Sequence, residues 1–207
     1  MFTFSLLNLS RLYSKSFVML TLMLLLTACG SSTKLTKITT DDIVISEEFG
    51  IDTELSEKFN QAVNYIKQKK YEDAIELLVE VTNNTDKHSA PYINLGIAYA
   101  ETGKIEEAEN ILLKGIKINP AHPVTNNELG MVYRKTGRFA DAKVTYEKVI
   151  KNYPQFLPVR KNLGILCDLF MNDLACAIEH YEAYLKIRPN EKEVKIWLTD
   201  LKRRAGQ

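Results

Sequence analysis

The sequence predicts an all-α fold, a solenoid of about four helix–turn–helix repeats closed by one further helix. Three observations predict it. Small residues recur every 34 positions, at Ala62, Gly96, Gly130 and Gly164. Ala74, Ala108 and Ala142 keep the same step, Ala177 follows one residue late, and a large residue comes four after each: Leu78, Leu112, Tyr146 and Tyr181. Beyond the last repeat, Val194, Trp197, Leu198 and Leu201 share one helical face. A period of this length marks stacked supersecondary units, because two helices alone cannot bury their apolar faces.

The chain begins with an address. Residues 1–16 carry Arg11 and Lys15 and no acid, and residues 17–26 are apolar apart from Thr21. That run is about half of the ~20 residues a membrane-spanning helix needs. A basic region, a short apolar region and a small-residue site together make a secretory signal peptide. The site here, Leu26-Thr27-Ala28-Cys29, resembles the bacterial lipobox. The resemblance implies cleavage after residue 28, a diacylglycerol on the Cys29 thiol and an acyl chain such as palmitate on the new amine. Several acyl chains hold a protein firmly where one binds only marginally. In enterobacteria an aspartate after the cysteine retains a lipoprotein in the inner membrane. Gly30 stands there instead, which implies the outer membrane, with the protein facing the periplasm.

Residues 29–54 read as the lipidated cysteine and a flexible tether. The stretch 30–53 is polar and lacks helical periodicity, and Ile43-Val44-Ile45 within it reads as a chance apolar cluster, with docking on the domain the alternative. Fully extended, such a tether reaches roughly 80 Å at about 3.3 Å per residue. Of the 27 Lys and Arg residues, two lie in the signal peptide, so 25 face 26 acidic residues in the rest of the chain. A near-neutral chain offers no electrostatic case for nucleic acid.

The repeats fill residues 55–191, as units 55–88, 89–122, 123–156 and 157–191, and residues 192–207 form the closing helix. Leu95, Leu129 and Leu163 precede the glycines; Tyr65, Tyr99 and Tyr133 follow the small residues by three, with Cys167 in the fourth place. Pro120, Pro154 and Pro189 close three units, where they stop one helix or begin the next turn. Gly103 and Gly137 fall where the first helix of a unit must end, a position that favours left-handed backbone angles. The glycines of the 34-residue step are expected to let the first helix approach the second at the alanines, and Tyr99, Tyr133, Tyr146 and Tyr181 to fill the space between units. The first unit departs from the pattern, with Gln61 for the leucine, Lys69 for the turn glycine and Asp86 at the proline place, and reads as a cap. In the closing helix Lys202, Arg203 and Arg204 crowd the last turn, where cations suit the helix dipole, and Trp197 reads as core filling.

These L-G-x-x-Y, alanine and terminal-proline positions resemble the tetratricopeptide repeat. The resemblance implies a right-handed superhelix whose first helices line a concave groove. Carried over by place, the groove residues are Phe59 in the first unit and Ile93 and Ile97 in the second. The third unit supplies Asn127, Met131, Arg134 and Lys135, and the fourth Lys161 and Ile165, with Asp168 and Leu169 at its last two places. Such a floor is apolar in its first half, basic and amide-bearing in its second. It suits an extended or helical peptide with apolar anchors and an acidic end. The two-carboxylate clamp of some family members needs lysine and asparagine where this chain has Phe59 and Val63, so a chaperone-tail function is not supported.

Nothing in the sequence points to an enzyme. His88, His122 and His180 are far apart, and none pairs with a cysteine or carboxylate at metal-ligand spacing. No phosphate loop, nucleophile elbow or HExxH motif is present, and no metal, cofactor or small-molecule substrate is expected. Cys167 and Cys176 lie on neighbouring helices but not in a C-x-x-C pattern. Two buried thiols are the expected state, with a disulfide the alternative. The reading is an outer-membrane-anchored periplasmic lipoprotein that scaffolds an envelope complex through protein–protein contacts. Its alternative is a pilotin-like assembly factor for type IV pilus or secretin biogenesis, which short bacterial repeat lipoproteins of this kind resemble.

Overall fold

The computed structural model describes residues 53–207. The expected signal peptide, the expected lipidation site Cys29 and the expected tether up to residue 52 lie outside the described residues. Among the described residues there are nine helices and no strand: α1 Thr53–Lys67, α2 Tyr71–Asn84, α3 Ser89–Glu101, α4 Ile105–Ile118, α5 Pro123–Lys135, α6 Phe139–Asn152, α7 Leu157–Leu169, α8 Leu174–Ile187 and α9 Lys192–Arg204. None of them is long and apolar enough to cross a membrane. Odd-numbered helices up to α7 are the first of each pair and even-numbered ones the second, so the four units form an all-α solenoid. Thr53 and Glu54, which the sequence reading gives to the tether, already belong to α1. Pro120, Pro154 and Pro189 stand two residues past the ends of α4, α6 and α8.

Each turn within a pair holds one residue with left-handed backbone angles. Gly103 (φ 79°) and Gly137 (φ 77°) do so as expected; Lys69 (φ 59°) and Asn172 (φ 51°) do so without being glycine. The turns close in one way. The amide of Lys104 donates to the Tyr99 carbonyl (2.9 Å), that of Arg138 to Tyr133 (2.8 Å) and that of Lys70 to Tyr65 (2.9 Å), the bond that ends a helix in a Schellman motif. The fourth turn carries the inserted residue, and its closing bond spans one residue more, from the Asp173 amide to the Cys167 carbonyl (2.9 Å). A non-glycine residue at a left-handed position is strained by about 1–2 kcal/mol. Lys69→Gly is therefore expected to stabilise the first unit by about 0.5–1 kcal/mol, after the entropy that glycine adds to the unfolded chain. A urea titration at constant slope would read it as a higher midpoint.

The structure corrects the expectation for the step of small residues. A Cβ on Gly130 would sit 2.4 Å from Cε1 of Tyr146, one on Gly164 2.4 Å from Cε1 of Tyr181, and one on Gly96 2.6 Å from Cγ of Leu112. The glycines make room for the large residue four after the alanine, inside their own unit. Tyr146 and Tyr181 are buried there, and Tyr181 also reaches out of its unit to Trp197 of α9 (ring centroids 5.6 Å). Tyr65, Tyr99 and Tyr133 are half-buried, and each carries the cation of its own turn over its ring: Lys70 at 5.9 Å, Lys104 at 5.8 Å and Arg138 at 4.2 Å. All three tyrosines thus clamp turns as well as packing against the core.

The closing helix α9 buries Val194 and Leu201 and half-buries Trp197 and Leu198. Its basic last turn is tied down. Lys202 pairs with Glu182 of α8 (2.6 Å), Arg203 with Asp200 (2.8 Å), and Arg204 with both Asp168 of α7 and Asp200.

Candidate protein-binding site

The first helices of the pairs position the sequence-predicted groove residues, three or four apart so that they share a face. Phe59, Ile93 and Asn127 have no exposed surface, and Ile97 is also buried. Met131, Arg134, Lys161 and Ile165 are half-buried and Lys135 is exposed. The accessible members therefore belong to the third and fourth units.

Two polar networks organise that half. Asn162 of α7 donates through Nδ2 to Oδ1 of Asn127 (2.9 Å), and Asn127 donates through Nδ2 to Oε1 of Glu128 (3.0 Å). The relay crosses from the fourth unit to the third and ends on a buried carboxyl. Burial lifts the Glu128 pKa to about 7; the Asn127 donor and Lys135 pull it down, and Glu101 adds to the rise. On the next turn of α5, the Arg134 guanidinium lies over the Phe170 ring at 5.6 Å. Burial also raises the Tyr146 phenol, which the nearby Arg134 opposes. The Nε of Arg134 is buried without an acceptor. Lys135 donates to the carbonyl of Ala100 at the end of α3 (3.1 Å). Lys161 lies over Trp197 (5.2 Å) and pairs with Glu193 (2.9 Å), which joins the groove floor to α9.

His122 caps α5, its Nδ1 accepting from the Thr125 amide (3.4 Å). Burial holds its pKa down at about 4, so the ring is neutral and able to accept. That is a structural role.

Cys167 and Cys176 are joined in a disulfide, with Cα atoms 5.9 Å apart. This overturns the expectation of two free thiols and leaves neither sulfur as a nucleophile. Cys167 occupies the place that tyrosine holds in the other three units. The disulfide thus clamps the fourth turn where a tyrosine–cation pair clamps the others. Asp173 lies beside it, and the three ligand atoms fall within 4.8 Å of one another. Both sulfurs are committed to each other, and the carboxylate caps α8 by accepting from the Cys176 amide (3.1 Å). Cross-linking a loop this short removes about 2.5–3 kcal/mol of unfolded-state entropy. The Cys167→Ala/Cys176→Ala pair is expected to lower stability by about that amount. In a thermal melt, a reductant should shift the parent chain by the same interval and leave the variant unmoved.

The sequence reading passed over Phe170 and Met171. Leu169 is 68 % exposed, Phe170 42 % and Met171 36 %. The signal was present: Leu169-Phe170-Met171 stands where the second and third units read Glu101-Thr102-Gly103 and Lys135-Thr136-Gly137. An apolar run at a polar turn breaks the pattern of the fold.

A solenoid of helix pairs with a half-open face defines the class: a helical-repeat protein-interaction domain. Residues 65–125 and 128–155 each match the tetratricopeptide repeat, and over these residues the chain belongs to that family. Among solved structures, the chain is similar to MamA of Desulfovibrio magneticus RS-1, at 21 % identity over 75 % of this chain and 87 % of that one, with a TM-score of 0.65. It is also similar to MamA of MSR-1, at 24 % identity over 75 % and 88 %, with a TM-score of 0.61. Pseudomonas aeruginosa pilF matches at 18 % identity over 73 % and 68 %, with a TM-score of 0.66. At these identities the likeness is one of fold. No curated protein matches the sequence.

Proposed function

We propose that this chain is a lipoprotein of the bacterial outer membrane, anchored through lipid on Cys29 and facing the periplasm, whose repeats scaffold an envelope complex. The repeat family supports protein binding, and the lipobox at Leu26–Cys29 supports the anchor. The observation that carries the binding reading is the accessible half of the concave face. It presents Met131, Arg134, Lys135 and Ile165 together, and no carboxylate among the described residues pairs with either cation. Apolar anchors beside unneutralised cations suit a peptide segment with apolar side chains and acidic character.

The test is photo-cross-linking in intact cells from position 134, with the exposed Val144 of α6 as the control site. A dominant protein adduct at 134, absent at 144, is the expected result. Adducts from 144 alone would move the interaction off this face. Globomycin treatment checks the anchor, since a lipobox protein then accumulates with its signal peptide attached. A pilotin-like assembly role is the second reading, favoured by the fold shared with pilF. It predicts that a deletion strain loses its secretin multimers.

A further inference from the structure

We propose that the disulfide-closed turn of the fourth unit, with Arg134 over its Phe170 ring and Lys135 next to Arg134 on α5, is the docking site for an acidic protein segment that carries apolar anchors. This rests on the concave-face reading above and names its anchoring point. The site lies at the rim, where α7 ends, rather than on the groove floor.

Four observations converge there. Leu169, Phe170 and Met171 are consecutive and exposed. Single exposed apolar residues are ordinary, whereas a contiguous group marks an interaction site. Leu169 also follows Ile165 by four residues on α7, which continues the apolar stripe from the groove to the rim.

The turn is held in place. The disulfide joins its two ends, and Phe170 is packed against Phe139 (ring centroids 5.1 Å) and beneath the Arg134 guanidinium. A group already fixed in position loses little entropy when it binds.

The local charge has one sign. The carboxylates of this segment are neutralised in place, Asp168 by Arg204 and Asp173 by Lys143. Arg134 and Lys135 have no carboxylate partner among the described residues. An incoming acid therefore meets the unpaired Arg134 guanidinium over Phe170, with Lys135 next to it on α5 and resting on the Ala100 carbonyl, and no unpaired anion of the turn. The other turns lack the apolar run: where this one has Leu169-Phe170-Met171, the second and third read Glu101-Thr102-Gly103 and Lys135-Thr136-Gly137, and the Arg138 cation of the third pairs with Glu109.

The experiment uses the lipidated full chain in detergent micelles and two fluorescent peptides. One alternates glutamate with leucine and phenylalanine; the other has lysine for glutamate. Anisotropy is expected to show binding of the acidic peptide only, weakened as salt rises. Leu169→Asp with Met171→Asp should weaken it about tenfold or more, as loss of a central apolar anchor does. Arg134→Gln with Lys135→Gln should weaken it by at least about fivefold, mostly through slower association. Val144→Asp should leave it unchanged, and circular dichroism would confirm that the variants fold. Equal binding of the lysine peptide, no binding of the acidic one, or indifference to the Leu169/Met171 pair would each overturn the proposal. The groove reading fails separately. Peptide adducts from a photoreactive residue at 134 but not at 169 or 171 would keep the groove and sink the rim site. Adducts from 144 alone would sink both.

Discussion

Gly130→Ala is expected to destabilise the domain by about 1–3 kcal/mol, the range for overpacking a filled core. The sign is opposite to helix propensity, which favours alanine over glycine by about 1 kcal/mol. The reason lies in one ring. The new Cβ would stand 2.4, 2.8 and 2.9 Å from Cε1, Cδ1 and Cζ of Tyr146. Tyr146 is fully buried, so the ring has no free space to enter, and close packing transmits the strain to α5 and α6. Gly96→Ala should cost less, because the new Cβ meets Cγ and Cδ2 of Leu112, each at 2.6 Å, on an aliphatic side chain with other rotamers to adopt and not on a rigid ring. The first unit shows the solution already built: Ala62 stands at this place with Leu78 opposite, both fully buried. Gly130→Ala with Tyr146→Leu recreates that pair in the third unit. A double-mutant cycle by urea denaturation should therefore give a favourable coupling of about 1 kcal/mol or more. Additive effects would show that the glycine serves something other than the tyrosine.

Much of this architecture was legible in the chain because the repeat states each constraint several times. The 34-residue step gives unit length, and Gly103 and Gly137 mark the turns by a backbone angle that few residues adopt. Reading broke down where physics depends on which atoms meet. Alanine and tyrosine four apart in α6 both face α5, and spacing alone does not say which of them the glycine accommodates. The repeat put Lys69 at the turn-glycine place but did not say that a lysine would keep the left-handed angle there, and the inserted residue of the fourth unit hid Asn172. The disulfide turned on whether Cys167 and Cys176 approach, which the one-residue insertion before α8 decides. Among the groove residues, the pattern placed Phe59, Ile93 and Asn127 on the concave side. Their burial is a property of the packed chain that a position within a repeat does not carry.

Glu128 gives the second large effect. Its carboxyl is buried and its pKa is pushed up to about 7, against 4.5 for the free group. The charged and titratable groups around it are Glu101 at the end of α3, Lys135 of α5 and, on α6, Tyr146. With the folded pKa above the unfolded one, the folded state holds the proton over a range where the unfolded state has lost it. The contribution is then fully present below about pH 4.5, falls as pH rises, and is gone above about pH 7. A gap of this size corresponds to about 3 kcal/mol, at 1.36 kcal/mol per pKa unit. Glu128→Gln cannot ionise and keeps an oxygen that can accept from Asn127. The variant should match the parent near pH 4 and exceed it by up to about 3 kcal/mol at pH 8. Taking the difference between the two chains cancels the His122 contribution, which runs the other way and is lost as pH falls from about 6.5 to about 4. Parallel pH profiles for parent and variant would mean that the carboxylate is hydrated in the folded chain. Diverging profiles would place a proton at neutral pH on the relay Glu128–Asn127–Asn162, whose amides join the third unit to the fourth. A partner that neutralises Lys135 would remove the nearby cation that helps hold Glu128 ionised, and so raise the carboxyl further. Binding at that rim should therefore take up a fraction of a proton near pH 7, readable as a buffer-dependent heat in calorimetry, and Glu128→Gln should abolish it.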